Sequence, residues 1–396
     1  MSGGGLSTAR LARMHAAMAG YVERGEIPGI VTLVSRRGET QVDAVGMKAV
    51  GGTDPMRRDT IFRIASMTKP IAAAAAMILV EACRLRLDEP VDRLLPELAN
   101  RKVLKRLDGP LDDTVPAKRP ISVRDLLTLR MGSGFILEPS AGYPIQKAMN
   151  EAGLAPGPNP PSHTPDEWME RLGGLPLMHQ PGEKWMYQTG FDVLNVLLAR
   201  ASGQPLETFL RQRIFEPLDM KDTGFSVSSA KLDRLATCYQ TDAATGRLAV
   251  FDEARNGLWS RPPIFPSELV STVDDYLAFG RMMLNQGKHG SERILSRPSV
   301  ELMTTDQLTP EQKAGAEMIL GDNRGWGFGV AMVIRRDSVA AVPARFGWDG
   351  GYGTSWASDP NEGMVAILMT QRLWDSPSPP AVCQDFWTST YQAIDD

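Results

Sequence analysis

The sequence predicts a mixed α/β protein of the α+β type, in which an antiparallel sheet is assembled from both ends of the chain and flanked by helices. Strand-like segments lie within residues 29–46 and again beyond residue 325, whereas residues 96–225 are typical of helices and loops. The 396 residues are 42% hydrophobic, which is enough for two domains. We therefore expect an α/β domain from residues 1–95 and 226–396, with 96–225 as an inserted, mainly helical domain.

The elements of the first part of the chain follow from periodicity. Residues 7–24 carry apolar side chains at helical spacing and predict a surface helix. The runs Gly29–Ser35 and Thr40–Gly46 flank a polar turn and predict a hairpin. The strand-like run Ile61–Ala65 leads into an alanine-rich segment, which predicts a helix that starts near Ser66.

Further helices and strands are predicted along the rest of the chain. Residues 153–165 are rich in proline and should form an irregular segment. Helices are expected after the cap Ser122, over 192–200, over 206–215, from Thr272 to about Asn285, and over 380–394. Strands are expected over 329–335, 344–348, 354–358 and 364–370.

The composition excludes several classes of partner. The net charge is −4 and no long basic run is present, so nucleic acid and anionic membranes are not expected partners. Three cysteines far apart do not form a disulfide scaffold and suit a reducing compartment. The four histidines lack metal-ligand spacing, so no metal or other cofactor is expected. No apolar signal-peptide core is visible, and we expect a cytoplasmic protein.

Ser66 and Lys69 form a Ser-x-x-Lys pattern at the predicted start of a helix. Residues three apart share one helix face, so the Lys69 ammonium can lie beside the Ser66 hydroxyl. The first turn of a helix also leaves backbone N–H groups unpaired, and these stabilise negative charge. A nucleophile, a basic partner and backbone donors within four residues suit acyl transfer.

This pattern alone does not separate a catalytic role from a structural one. A second Ser-x-x-Lys, Ser228–Lys231, lies in a polar segment, where it indicates a loop or a helix start. Taken in isolation, Ser66 also fits an N-cap serine that is followed by a solvated lysine. Pro70 disfavours helical geometry at the preceding residue, so the helix must tolerate a proline in its first turn or begin just after it.

Three separated segments carry a family resemblance: Ser66–Lys69, Trp185–Asp192 and Phe346–Thr354. Together they resemble the serine beta-lactamase and penicillin-binding-protein superfamily. The nearest likeness is to its esterases, the family VIII carboxylesterases. The resemblance extends over about residues 25–375. It implies a beta-lactamase/transpeptidase-like fold, with the active site in the cleft between an α/β domain and a helical domain.

Two positions depart from the lactamase motifs. Thr189 stands where the lactamases carry the Asn of Tyr-x-Asn, so the amide that would hold a lactam acyl group is missing. Trp348 stands where they carry the lysine of Lys-Thr-Gly, a cation that faces a ligand carboxylate. An indole ring offers apolar contact but no partner for an anion. The site is therefore expected to prefer small uncharged esters to penicillin carboxylates.

The resemblance implies that Ser66 attacks the ester carbonyl and becomes acylated. No histidine accompanies the motifs and no Gly-x-Ser-x-Gly is present, which points to a Ser-Lys arrangement. Tyr187 is the candidate proton acceptor with Lys69 stabilising its anion, although the reverse assignment of base and relay stays open. The backbone N–H groups of Ser66 and Gly351 are expected to form the oxyanion hole. Water or an alcohol would then take the acyl group.

Substrate binding is assigned to the third motif and to nearby aromatic residues. Trp348 and Gly350 belong to the motif, and a glycine allows close approach of a ligand to the strand. Phe135, Tyr143 and Tyr352 are the other predicted binding residues. Further aromatic candidates for the pocket are Trp185, Trp326 and Trp356.

We thus predict a serine hydrolase that cleaves small uncharged carboxylic esters through an acyl-enzyme on Ser66. Three alternatives stay open. One is an acyltransferase or transesterase acting on a secondary metabolite, and another is a hydrolase of the beta-lactamase or D,D-peptidase type. The third is a penicillin-binding-like sensor without turnover. The natural substrate, the acyl-chain preference and the oligomeric state are not predicted.

Overall fold

The computed structural model of the protein describes residues 4–137 and 142–396. Its strands, in chain order, are β1 (Gly29–Arg36), β2 (Glu39–Gly46), β3 (Phe62–Ala65), β4 (Lys102–Leu104), β5 (Thr114–Pro116), β6 (Cys238–Thr241), β7 (Leu248–Asp252), β8 (Leu269–Ser271), β9 (Lys288–His289), β10 (Glu292–Arg293), β11 (Arg324–Trp326), β12 (Ala331–Val333), β13 (Phe346–Gly350), β14 (Thr354–Asp359) and β15 (Met364–Thr370). Its α-helices are α1 (Thr8–Glu23), α2 (Thr68–Glu81), α3 (Val123–Leu127), α4 (Pro144–Glu151), α5 (Pro165–Gly174), α6 (Thr189–Ser202), α7 (Leu206–Leu210), α8 (Val273–Leu284), α9 (Arg297–Met303), α10 (Pro310–Lys313), α11 (Glu317–Leu320) and α12 (Ala381–Gln392).

The main sheet has the strand order β11-β12-β13-β14-β15-β1-β2, and every neighbouring pair is antiparallel. The N-terminal hairpin joins the C-terminal strands through β1 and β15, where Leu33 lies opposite Ile367. The predicted sheet, built from both ends of the chain, is therefore confirmed.

Helices cover both faces of this sheet. Successive side chains of a strand point to opposite faces. Val31 and Leu33 of β1 accordingly pack into the large core that contains α2 and α8. Ile30 and Val34 pack instead into a second core with α1 and α12. The sheet therefore lies between two helical layers.

Helix α2 occupies the centre of the molecule. It begins at Thr68, so Ser66 and Met67 form the turn that precedes it. Pro70 is its third residue. Backbone N–H groups in the first turn have no acceptor within the helix, so the missing N–H of proline costs no hydrogen bond there. The helix thus tolerates the proline in its first turn. Its residues Thr68 to Leu79 are all buried, and the small alanine side chains allow other elements to pack on every side.

Several predictions for the rest of the chain are confirmed and two need correction. Ser122 caps α3 as predicted, and residues 153–164 contain neither helix nor strand. The strand predicted over 329–335 is the shorter β12, since Gly329 turns the chain before it with a φ of 73°, and β11 on the other side of this turn was not predicted. The helix predicted from Asp192 begins earlier, at Thr189, so Asp192 lies in its first turn. The division into domains at 95/96 and 225/226 stays a proposal.

In the part of the chain that the structure describes, none of the helices combines the length and the apolar character needed to cross a bilayer.

Candidate active site

Ser66 lies on the tight connection between β3 and α2. The preceding residue, Ala65, has a φ of 44°, in the left-handed region that residues with a side chain rarely adopt. Strand β8 supports this conformation, with Leu269 opposite Ala65 and the Leu269 N–H donating to the Thr68 hydroxyl at 2.9 Å. Tyr276 adds a hydrogen bond of 2.7 Å to the Met67 carbonyl. The backbone around Ser66 is thus fixed from two sides.

The predicted contact between Ser66 and Lys69 is present. The ammonium Nζ of Lys69 lies 2.9 Å from Ser66 Oγ, within hydrogen-bond distance. Both side chains are buried. Bulk water therefore does not weaken this charge-assisted hydrogen bond as it would on the surface.

Tyr187 completes a group of three with Ser66 and Lys69. Lys69 Nζ lies 4.6 Å from the centroid of the Tyr187 ring, a cation–π distance. The indole N–H of Trp348 donates a hydrogen bond of 2.9 Å to the Tyr187 hydroxyl oxygen. Phe135 and Trp185 stack against the same ring, with centroid distances of 6.2 and 5.6 Å. Tyr187 is therefore held by contacts with its ring and with its hydroxyl.

Two of the predicted pocket aromatics support this group instead of lining the cavity. Trp326 packs edge-on against Trp348 at 4.6 Å, and its indole N–H donates to the Leu127 carbonyl at 3.2 Å. Trp185 packs between Tyr187 and Trp326. Trp356 lies in the core against α8. Trp185 and Trp326 thus help to position Tyr187 and Trp348.

The two expected oxyanion-hole donors lie on one cavity. Ser66 and Gly351 both line it. Across the described ranges, neither of their backbone N–H groups donates to a protein acceptor. Gly350 lies against β3, since a Cβ built there would be 2.3 Å from the Ile64 carbonyl oxygen. The lack of a side chain at position 350 thus lets β13 approach β3, the strand that leads into Ser66.

The cavity beside Ser66 has a volume of about 430 Å³. Of the predicted binding residues, Phe135, Trp348 and Tyr352 line it, whereas Tyr143 and Gly350 do not. Tyr143 packs at the edge of the large core. Two irregular segments form much of the wall: the proline-rich segment with Pro156, Gly157 and Pro158, and the loop after β15 with Leu373, Trp374, Asp375, Ser376, Pro377 and Pro379.

Sequence reasoning missed a cation in this cavity, Arg324. Its guanidinium donates to the carbonyls of Leu320 and Ile319 at 3.1 and 2.9 Å, and its Nη1 lies 3.8 Å from the Asp349 carboxylate. Burial lowers the pKa of Arg324, and Asp349 opposes that shift. Because Asp349 compensates the charge of Arg324, the cavity does not present an unopposed cation at this point. No local pattern marks Arg324 in the sequence.

Two carboxyl groups near Lys69 were also missed as site residues. Burial raises the pKa of Asp192 to about 7, while the nearby Lys69 charge acts to lower it. Burial likewise raises the pKa of Glu268, which lines the main cavity. Asp192 lines a side cavity of about 200 Å³ that shares Gln188 and Glu268 with the main one. Both acids are half-buried.

The second Ser-x-x-Lys has a different setting. Ser228 is exposed, and Lys231 donates to the Lys221 carbonyl at 2.8 Å while pairing with Asp222. Neither residue lines the cavity beside Ser66. This agrees with its interpretation as a helix start on the surface.

A buried Ser-Lys pair with a tyrosine over the lysine, placed between a helix and an antiparallel sheet, defines a protein of the beta-lactamase and penicillin-binding type. The chain belongs to the Beta-lactamase family, whose family model matches residues 14–380. The fold prediction is confirmed by solved structures. EstCE1, described as a hydrolase with promiscuous acyltransferase activity, superposes with a TM-score of 0.80 at 24% identity, over 97% of this chain and 98% of EstCE1.

Two sequence relatives extend over nearly the whole chain. Protein Rv1367c of Mycobacterium tuberculosis is 37% identical over 368 residues, 89% of this chain and 88% of the relative. Esterase EstB of Burkholderia gladioli is 31% identical over 384 residues, 93% of this chain and 92% of the relative. The predicted likeness to a beta-lactamase-like esterase is thereby confirmed.

Proposed function

We propose that this protein is a carboxylesterase that hydrolyses small uncharged esters through an acyl-enzyme on Ser66. The observation that carries the proposal is the buried hydrogen bond of 2.9 Å between Lys69 Nζ and Ser66 Oγ, at the wall of a 430 Å³ cavity. The similarity to a relative named Esterase EstB supports ester hydrolysis. The family VIII assignment and the cytoplasmic location remain predictions.

The acylation step uses Ser66 as the nucleophile and either Tyr187 or Lys69 as the base. Ser66 Oγ attacks the ester carbonyl carbon, and its proton passes to the Tyr187 hydroxyl oxygen or to Lys69 Nζ. The N–H groups of Ser66 and Gly351 stabilise the oxyanion, each by about 3 kcal/mol. The bond to the alcohol oxygen then breaks, and the alcohol leaves with the proton that the base received. An acyl group remains on Oγ.

The walls of the cavity support a preference for uncharged substrates. Phe135, Leu137, Trp348 and Trp374 present apolar surface to it. Arg324 also lines the cavity, and the Asp349 carboxylate compensates its charge. A penicillin or cephalosporin carboxylate would therefore lose water without gaining an unpaired cation.

The test of the proposal is replacement of the nucleophile. Ser66→Ala should lower turnover of p-nitrophenyl butyrate by roughly a thousandfold or more, and the intact mass of the wild type should increase by one acyl group during turnover. Ser228→Ala is the matched control and should retain wild-type rates. A Ser66→Ala variant within about tenfold of the wild type would refute the assignment.

A substrate panel separates the alternatives. With ampicillin and a cephalosporin beside neutral esters, kcat/KM for the best ester should exceed that for either lactam by at least about 100-fold, some 3 kcal/mol. Equal values would favour a lactamase. Adding an alcohol to the ester reaction measures acyl transfer, and a product ratio dominated by the new ester would favour a transesterase.

A further inference from the structure

Glu268 and Ser66 lie at the same end of the strand pair formed by β3 and β8. Strands β3 and β8 are antiparallel, with Ala65 opposite Leu269. Ser66 directly follows the last residue of β3, and Glu268 directly precedes the first residue of β8. Both residues line the 430 Å³ cavity. The backbone of β8 thus brings a carboxyl group to the same space as the nucleophile.

The backbone of Glu268 is fixed, whereas one oxygen of its carboxyl group has no hydrogen-bond partner among the described residues. The indole N–H of Trp259 donates to the Glu268 carbonyl at 3.3 Å, and the next N–H, that of Leu269, donates to Thr68. Within the described residues its Oε2 is buried and accepts no hydrogen bond, and no lysine, arginine or histidine forms an ion pair with the carboxyl group, although the Tyr352 hydroxyl interacts with it. A buried carboxyl group in this state costs free energy unless a small molecule such as water satisfies it.

Glu268 also stands where cavities meet. The side cavity of about 200 Å³ shares Glu268 with the main one and is lined by polar groups of Asn159, Gln188 and Asp192. Polar walls of this kind hold water, whereas the apolar walls near Trp348 suit an acyl group or an alcohol. Water held on the Glu268 side would therefore lie beside an acyl group on Ser66.

We propose that Glu268 is the general base that activates the hydrolytic water in the second half of the reaction. This inference rests on the acyl-enzyme of the proposed function. The water oxygen forms a bond to the acyl carbonyl carbon as one of its protons passes to the Glu268 carboxylate. The bond between that carbon and Ser66 Oγ then breaks. The proton returns through Lys69 Nζ to Oγ, which releases the carboxylic acid and regenerates the free hydroxyl and the carboxylate.

The other candidate bases are already engaged in the first half of the reaction. Lys69 Nζ is hydrogen-bonded to Ser66 Oγ, and the Tyr187 hydroxyl accepts the Trp348 N–H. The charged and titratable groups that influence Glu268 are Lys69, which lowers its pKa, and the Tyr352 hydroxyl, which has the same effect. Asp192 lines the side cavity with it. Burial outweighs these effects and raises the pKa of Glu268.

Stopped-flow kinetics with p-nitrophenyl acetate tests the proposal, because the burst of nitrophenol reports acylation and the steady rate reports deacylation. Glu268→Gln should acylate within about threefold of the wild type but deacylate about 100-fold more slowly, so that the acyl-enzyme accumulates in the intact mass. Glu292→Gln, at an exposed position in β10, is the control and should leave both rates unchanged. Equal deacylation in Glu268→Gln and wild type would refute the role.

A structural role would affect both rates together, and chemical rescue distinguishes the two. Sodium formate should raise the deacylation rate of Glu268→Ala by at least about tenfold, because the space left by the side chain admits a small carboxylate. No rescue, or an equal loss of acylation and deacylation, would overturn the proposal. If the Gln variant fails to fold, Glu268→Asp carries the test, with deacylation expected about tenfold slower. Absence of an acyl adduct in the wild type would instead refute the proposed function.

Discussion

The indole N–H of Trp348 donates a hydrogen bond of 2.9 Å to the hydroxyl oxygen of Tyr187. From the sequence, Trp348 was expected to contact substrate through its apolar ring. The structure adds a polar contact with the tyrosine proposed as proton acceptor. A donor aimed at this oxygen stabilises negative charge on it. The third motif would therefore contribute to proton transfer as well as to binding.

Trp348→Phe tests this link, because it removes the indole N–H and keeps an aromatic ring. A hydrogen bond to a charged oxygen contributes about 1.5–3 kcal/mol, so kcat should fall by roughly tenfold or more. KM should change less. Trp356→Phe is the control, since the buried indole N–H of Trp356 has no hydrogen-bond partner among the described residues. A Trp348→Phe enzyme with the wild-type kcat would show that the hydrogen bond does not serve the reaction.

Tyr187→Phe removes the hydroxyl and leaves the stacking with Phe135 and Trp185. We expect kcat to fall by about 100-fold, because general acid–base catalysis contributes about that much, with a smaller change in KM. Tyr239→Phe serves as the control. The Tyr239 hydroxyl accepts a hydrogen bond of 2.8 Å from the Val50 N–H, and Tyr239 does not line the cavity. Unaltered steady-state kinetics in Tyr187→Phe would restrict Tyr187 to packing and make Lys69 the base.

Asp192 should make stability depend on pH. Its pKa is about 7 in the folded protein because of burial, against 3.8 for an ordinary aspartate. Between these values the folded state binds more protons than the unfolded chain, so the free energy of unfolding falls as pH rises through this window. Asp192→Asn removes the effect. At pH 8 the variant should exceed the wild type by about 4 kcal/mol, and at pH 4 the two should agree to within about 1 kcal/mol.

Urea denaturation at pH 4, 6 and 8 measures this difference. Asp112→Asn, at an exposed position, is the matched control and should show the wild-type pH dependence. An Asp192→Asn variant that loses stability as steeply as the wild type above pH 4 would contradict the prediction.

A buried ion pair between Arg63 and Asp252 anchors β3 just before Ser66. The side chains are 2% and 3% exposed, and Arg63 Nε donates to Asp252 Oδ2 at 2.8 Å. Asp252→Ala would leave a buried guanidinium unpaired, which should lower the free energy of unfolding by about 3–5 kcal/mol. The exposed pair Arg58–Asp274 provides the control, since Asp274→Ala should cost no more than about 1 kcal/mol. Similar melting temperatures for the two variants would disprove the anchoring role.

The parts of the fold that follow from local pattern were predictable. The limits of α1, β1, β15 and α12 agree with prediction to within a few residues, because the period of apolar side chains is a property of each segment by itself. Gly329 shows the limit of this approach. Its left-handed φ lets the chain turn back, so that Arg324–Trp326 pairs with β12 as β11, and these three residues carry no strand pattern of their own.

The site was predictable only where a motif marked it. Ser66, Lys69 and Tyr187 lie in recognisable segments, and the structure brings them together. Arg324 and Glu268 lie in segments without such a motif, and they reach the cavity because β11 and β8 carry them there. Contacts of this kind depend on strand pairing between distant parts of the chain. Tyr143 shows the converse error, since aromatic character alone did not indicate whether a residue faces the cavity or the core.

The pairing of β1 with β15 has a consequence for the order in which activity arises during synthesis. Ser66 and Lys69 leave the ribosome early, together with the first two strands of the sheet. Gly351 and β13, which precedes it, follow much later, and the edge of β1 that faces away from β2 remains unpaired until β15 emerges. A partly synthesised chain would therefore hold a nucleophile without its second oxyanion donor. We expect catalysis to begin only when the last strands join the sheet.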